Sequence, residues 1–334
     1  MEPIFLLLIV VVALTLIFDY INGFHDAANA IATVVSTRVM RPVTAVVYGA
    51  VLNFAGALMG TEVAATIGKG LVDAESITML TVLCTVLAAI VWNLITWWKG
   101  LPTSSSHALI GSLLGATFFS GAGGLDHIHV DKVFEKIVIP MVTSPMMGVF
   151  LGFTMMVLLT WLVWRTKLPK TNRRFGRLQI LSAGFMALSH GHNDAQKSMG
   201  IIALALVLAY PGEEFTVPLW VILTCAIAMA LGTLSGGWRI IRTLGTKMIK
   251  LQPIHGFAAE TTASIIITGA SQLGIPVSTT QVISSSILGV GATKRLSAVR
   301  WGIVGNILWA WVLTLPLTFI FAGLLMLGMK AVFQ

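Results

Sequence analysis

Long apolar runs separated by short polar breaks constrain this chain more than any other feature of its sequence. A helix that crosses a bilayer needs about 20 mostly apolar residues. Reading the runs between breakers gives ten segments, near residues 4–35, 43–67, 76–98, 103–120, 137–164, 178–209, 217–238, 253–272, 276–292 and 301–329. The fourth and ninth are short and rich in Ser, Thr and Gly, which predicts re-entrant half-helices. Only 10% of the 334 residues are charged, against about 25% in a soluble domain. Such a chain cannot cover itself with a water-facing surface, so the expectation is an all-α polytopic protein whose solvent is the lipid bilayer. The first run carries Glu2 as its only early charge and shows no basic n-region or small-x-small cleavage site. It therefore reads as a retained first span rather than a signal peptide.

The net charge of +8 is distributed as membrane topology rather than as a nucleic-acid footprint. Basic residues collect at Arg38 and Arg41, in 165-RTKLPKTNRRFGR-177, at Arg239, Arg242, Lys247 and Lys250, and at Lys294, Arg295 and Arg300. The intervening loops, 68-GKGLVDAE-75, 121-GAGGLDHIHVD-131 and 210-YPGEEF-215, are acidic or poor in positive charge. The positive-inside rule places the basic loops in the cytoplasm and both termini outside. Cys84 and Cys225 each stand alone in an apolar run, so neither a disulfide framework nor a zinc site follows from them.

The chain also repeats itself. G-x-x-D-A at Gly23 returns at Gly191, and 100-GLPTSSSHALIGSLLG-115 returns as 274-GIPVSTTQVISSSILG-289. The offsets are 168 and 174 residues, with both pairs in the same order. This predicts a duplication of five segments plus five: an N-terminal repeat over 1–164, a basic cytoplasmic linker over 165–177 and a C-terminal repeat over 178–334. Because five is odd, the second half enters the membrane upside down. Inverted repeats of this kind place a transported substrate near the midplane, at the interface between the halves.

Polar residues inside the apolar runs mark the candidate site, because charge at bilayer depth is rare and usually functional. Asp26 and Asp194 occupy equivalent repeat positions; Asn29 follows the first acid on the same helix face, and Gln196 and Lys197 follow the second. Gly23 and Gly191, just before each acid, permit the helix to break or bend there, and a break would expose backbone groups. Ser104, Ser105 and Ser106, and then Ser278, Thr279 and Thr280, each follow a Pro and open an apolar helix. Two such helix N-termini, entering from opposite faces, would meet near the midplane with free N–H groups and positive dipole ends. That arrangement suits a tetrahedral oxyanion such as phosphate or sulfate. Carboxylates beside an anion repel it unless a cation or proton intervenes, so Asp26 and Asp194 read as coupling-ion residues. His25, His190, His192 and Glu260 add titratable groups nearby, with Glu260 free to carry a proton or pair with His255. His107 and His255 read as structural hydrogen-bonding residues. No His or Cys spacing defines a fixed metal site, and no H-E-x-x-H or G-x-S-x-G stretch marks an enzyme.

These motifs resemble those of the inorganic phosphate transporter (PiT) family, particularly its short bacterial members. The resemblance runs over essentially the whole chain. The family carries a G-A-N-D-V-A-N-A-like signature in each half, matched by 23-GFHDAANA-30 and 191-GHNDAQKS-198. Its P-x-S-[ST]-[ST] element is matched by 102-PTSSSH-107 and 276-PVSTTQ-281. The resemblance implies symport of inorganic phosphate across a bacterial cytoplasmic membrane and a homodimer. It puts the signature acids on Asp26 and Asp194, its amides on Asn29 and Asn193, and its hydroxyls on 104–106 and 278–280. His25 replaces the usual Asn, Lys197 stands near the usual later Asn, and Asn53 stands about where sodium-coupled relatives carry Glu. These departures favour protons over sodium as the coupling ion. The short members also imply that phosphate can travel as a neutral complex with a divalent metal. A sulfate-transporting branch of the family keeps that anion as an alternative.

Overall fold

In lipid backbone polar groups must be satisfied by the protein itself, which a helix does within one segment, and the apolar runs accordingly form helices. The computed structural model describes residues 3–73, 77–121, 124–294, 297 and 299–333. Residues 74–75 and 122–123, Arg295 and the side chain of Lys247, all used in reading the topology, lie outside the described set. The helices are α1 (Pro3–Ser36), α2 (Pro42–Ala57), α3 (Glu62–Ala65), α4 (Met79–Lys99), α5 (Ser105–Phe118), α6 (Val130–Val133) and α7 (Ile139–Val163). They continue as α8 (Leu168–Ala209), α9 (Leu219–Ser235), α10 (Trp238–Arg242), α11 (Pro253–Gln272), α12 (Thr279–Ala292) and α13 (Trp301–Phe333). Single π-helical turns extend α3 over Thr66–Gly70 and α10 over Thr243–Lys247, and another joins α6 to α7.

Burial is the reverse of a water-soluble protein's. Phe150, Trp161, Leu162 and Leu324 point outward, while Asp19, Asp26, Asn53, Asp194, Lys197 and Glu260 are buried. Trp98, Trp164, Trp238 and Trp301 are exposed, and each adjoins a Lys or Arg. Tryptophan beside a basic residue is the signature of a membrane–water interface.

The segments differ in how they could meet a bilayer. Among the described residues four stretches are long and apolar enough to cross alone: Ile4–Ser36, Met79–Lys99, Val130–Val163 and Trp301–Val332. The second and seventh sequence segments are broken instead, bending by 65° between α2 and α3 and by 58° between α9 and α10. The half-helices α5 and α12 have 14 residues each, about 21 Å at 1.5 Å per residue. That is well short of a hydrocarbon core of about 30 Å. The basic stretch expected as a linker is largely helical: α8 starts at Leu168 and runs for 42 residues. Pro169 in its first turn is preorganised for a helix start, and Phe175 buries itself against Phe257 of α11.

Gly23 and Gly191 do not break their helices, which corrects the sequence expectation; α1 and α8 run straight through them. Their role is close approach. A Cβ on Gly23 would lie 2.4 Å from the Met229 carbonyl oxygen of α9, and one on Gly191 would lie 2.1 Å from that of Asn53 in α2. The facing glycines reciprocate: Gly232 against Tyr20 and Gly56 against Leu188, each at 2.1 Å. Gly191→Ala is thus expected to destabilise the protein by about 1–3 kcal/mol through overpacking. The loss would be read as a lower melting temperature in detergent. Gly302→Ala, where a Cβ meets nothing within 4 Å, serves as the unaffected control.

The halves exchange partners. Helix α1 packs on α9 while α8 packs on α2, and α5 packs on α13 while α12 packs on α7. Thr243 donates to the Gly100 carbonyl oxygen at 3.0 Å, and Thr66 donates to that of Gly274 at 2.7 Å. Each turn that leads into a half-helix is therefore tied to the broken segment of the other half.

Candidate functional site

Two turns of matching geometry deliver the half-helices. Gly100 and Gly274 end α4 and the α11 turn in the left-handed region, at φ 66° and 64°. The N–H of Leu101 then reaches back to Thr96 and that of Ile275 to Ala270, both at 2.9 Å. Pro102 and Pro276 hold the next step extended, and Ser104 and Ser278 cap the new helices. Their hydroxyls accept from the N–H of His107 at 3.1 Å and of Gln281 at 3.3 Å. Ser104 and Ser278 are thereby committed to capping. The two first turns abut: Ser106 donates to the Val277 carbonyl oxygen at 3.4 Å, and the Gln281 amide nitrogen lies 3.5 Å from His107 Nδ1. Their leading N–H groups have no intrahelical acceptor, so two positive helix ends share one buried locus.

The two signature acids meet there. Thr280 donates to Asp26 at 3.1 Å and its neighbour Thr279 donates to Asp194 at 3.1 Å. Asn29 spans the same pair, donating to Thr280 at 2.9 Å and Thr279 at 3.2 Å. Acids 168 positions apart in the chain are thus bridged by consecutive hydroxyls of one helix. His25 Nδ1 lies 2.8 Å from Asp26, and its Nε2 lies 3.2 Å from Thr96 of α4. His190 Nε2 lies 3.3 Å from Asp194, and its Nδ1 lies 3.2 Å from the Asn53 side-chain oxygen. Asp26, His190 and Asp194 offer ligand atoms within 4.8 Å of one another.

Lys197 completes the cluster. Its ammonium donates to Asp194, to Ser106 and, at 3.2 Å, to the Val277 carbonyl oxygen. A carboxylate, a hydroxyl and a carbonyl oxygen are the ligands a hard monovalent cation would take, and here they surround a tethered one. Buried polar atoms at the locus that have no hydrogen-bond partner among the described residues include Ser105 Oγ, Asn29 Oδ1, Asn193 Oδ1, Gln281 Oε1 and His190 Nε2. The amide nitrogen of Asn193 is spent on Ser271 at 2.8 Å, bracing the turn before α12.

Two expected members sit elsewhere. Glu260 is not paired with His255; it accepts from Thr33, Ser182 and, at 3.1 Å, Gln179. His255 turns to the start of its own helix, where its Nδ1 accepts from the Gln252 N–H at 3.1 Å. Glu260 thus forms a second buried polar cluster between α1, α8 and α11, reached from the first through Thr33 of α1. His192 faces Gly60 and Glu62 at the α2–α3 break rather than the carboxylates. The sequence reading missed the direct roles of Lys197 and Thr96. Lys197 was findable, because the 168-residue offset makes it the counterpart of Asn29. Thr96 had no local signal.

Comparison with known proteins gives the family and the fold. The family model described as "Phosphate transporter family" matches the chain twice, over residues 22–174 and 167–322. A "Probable low-affinity inorganic phosphate transporter" of Rhizobium meliloti (strain 1021) is 48% identical over 314 residues, covering 93% of each chain. One of the same description from Bacillus subtilis (strain 168) is 46% identical over 321 residues, 95% of this chain and 96% of its own. A solved structure titled "The sodium-dependent phosphate transporter" superposes with a TM-score of 0.90 at 26% identity, covering 97% of this chain and 99% of that one. Family and fold are those of membrane transporters rather than enzymes. The buried acids bridged at a shared helix end and the twofold family match lead to one assignment: this chain belongs to the phosphate transporter family.

Proposed function

We propose that the protein is a secondary active symporter that imports inorganic phosphate across a bacterial cytoplasmic membrane, driven by protons. The observation that carries this reading is the abutment of the α5 and α12 N-termini against the bridged Asp26–Asp194 pair. Helix N-termini bind anions through N–H groups and dipole, and the unpartnered Ser105 hydroxyl is a further donor at the same locus. The buried acids make anion binding conditional on a compensating positive charge, which is the electrostatic requirement of symport. Lys197 supports protons over sodium. An ammonium tethered among oxygen ligands takes the place a free cation would occupy, whereas the solved relative is titled sodium-dependent. The Asp26, His190 and Asp194 ligand set favours a second form of the cargo, phosphate accompanied by a divalent metal.

The architecture belongs to the same proposal: two inverted five-segment repeats, joined over 165–177, in a homodimer. The matched turns at Gly100 and Gly274, the reciprocal Thr243 and Thr66 bonds and the paired helix breaks support the repeats, while the homodimer follows from the family resemblance alone.

The test is radiolabelled phosphate uptake into proteoliposomes under an imposed pH gradient, in sodium-free buffer and with sulfate as competitor. Gradient-driven, saturable accumulation is expected. Flux indifferent to the gradient, strict dependence on sodium, or accumulation of sulfate in place of phosphate would each overturn the reading. Within that assay, Ser105→Ala should raise the apparent KM for phosphate. A hydrogen bond to a charged group is worth about 1.5–3 kcal/mol, which corresponds to about ten-fold or more.

A further inference from the structure

Helix α1 carries more buried polarity than the site uses. Asp19, Asn22, Asp26, Asn29 and Thr33 follow one another at intervals of three and four residues, which puts them on one helix face. All five are buried. Asp26, Asn29 and Thr33 have the partners described above; Asp19 and Asn22 do not. Neither carboxylate oxygen of Asp19 and neither amide atom of Asn22 has a hydrogen-bond partner among the described residues. The other buried acids at this depth are all engaged: Asp26 by His25 and Thr280, Asp194 by Lys197 and Thr279, and Glu260 by Thr33, Ser182 and Gln179. Asp19 is fully buried, with the Ser198 hydroxyl facing it from α8. The charged or titratable groups that face it are Asp194 and Lys197 from α8 and Cys225 from α9.

An unpaired carboxylate inside a bilayer persists only when it is neutralised. Asp19 lies seven residues, or about 10 Å of helix, before Asp26, on the N-terminal side. Its counterpart at the 168-residue repeat offset is Ala187, so the second half holds no equivalent acid. We propose that Asp19, with Asn22 and Ser198, is a proton-binding station of the transport cycle, distinct from the Asp26–Asp194 locus. Asp19 takes up a proton from the α1 N-terminal side and is neutral while the anion site fills. Asn22, one turn further along the same face, leads from it towards Asp26. This inference rests on the proton-coupled reading above.

The experiment compares wild type, Asp19→Asn and Asp19→Glu in proteoliposomes. Two rates are measured for each: phosphate accumulation under an imposed pH gradient, and phosphate exchange at equal concentrations without one. For Asp19→Asn, gradient-driven accumulation is expected to fall at least ten-fold more than exchange, and the pH dependence of accumulation to flatten. Asp19→Glu, which restores a titratable carboxylate, should recover both the accumulation and the pH profile. Wild-type accumulation and pH profile in Asp19→Asn would overturn the proposal. So would parallel loss of both rates in Asn and Glu variants, which marks a packing role, or sodium in place of protons restoring Asp19→Asn. Wild type that ignores the pH gradient sinks the proton-coupled reading itself. Wild type that responds, beside an unaltered Asp19→Asn, sinks only the Asp19 station.

Discussion

Asp194→Asn is expected to abolish concentrative phosphate uptake and to weaken the folded protein at the same time. Its carboxylate answers the Lys197 ammonium on one oxygen and the Thr279 hydroxyl on the other, and it is fully buried. Removing one partner of a buried ion pair costs about 3–5 kcal/mol, because the remaining charge is stranded. If that penalty fell on the transport-competent state, the rate would drop by about two orders of magnitude or more. The double variant Asp194→Asn/Lys197→Met separates the two effects. It removes the stranded charge, so melting temperature should recover towards wild type while uptake stays absent. Asp26→Asn should differ in kind. Its partners are His25 and Thr280, with no fixed cation, so the protein should insert and melt nearly normally yet still fail to accumulate phosphate. Wild-type uptake in both single variants would reduce the two acids to helix cross-links.

Lys197→Asn carries the second large effect. Asn is the residue at the equivalent position of the first half, Asn29, and it leaves Asp194, Ser106 and the Val277 carbonyl oxygen facing a gap where an ammonium stood. Stranding Asp194 again costs about 3–5 kcal/mol, so sodium-free uptake should fall at least ten-fold. Oxygen ligands around a vacated cation position should then accept sodium, and uptake by the variant should become sodium-stimulated while wild type remains indifferent. Parallel uptake curves in sodium and choline buffers read this directly. Sodium-free uptake by Lys197→Asn at the wild-type rate would show that the tethered charge does not stand in for a sodium ion.

What the sequence made legible follows from what local pattern can encode. The P-T-S-S-S and P-V-S-T-T stretches specify a turn, a cap and a helix start within a few residues, and the structure builds both to matching bond lengths. The acids were legible because a charge in an apolar run is costly wherever the run packs. Which helix meets which was not. The 3.6-residue period says that Asn29 shares a face with Asp26, but not that this face meets Thr279 and Thr280 some 250 positions away. Glu260 could be recognised as buried and acidic, yet its partners Thr33, Gln179 and Ser182 come from helices far apart in sequence. Gly23 and Gly191 illustrate a sign error of the same origin. A glycine beside a polar residue in an apolar helix can mark a hinge or a crossing, and only the neighbour's backbone, 2.1–2.4 Å from where a Cβ would stand, decides for the crossing. A third repeated element, 66-TIGKG-70 against 243-TLGTK-247, is too short and too common in composition to mark a repeat by itself, although both stretches form π-helical turns.

The exchange of partners between halves also bears on how the protein is made. Helix α1 finishes synthesis first, but helices that cover it, α9 and α12 among them, leave the ribosome late. Until then Asp26 and Asn29 stand in the membrane without the Thr279 and Thr280 hydroxyls that engage them. The early chain must therefore wait, shielded by the insertion machinery or by transient water, for a late segment to close over it. Assembly should accordingly be a single end-of-translation event, and a chain released after α7 should be a substrate for membrane quality control rather than a stable half.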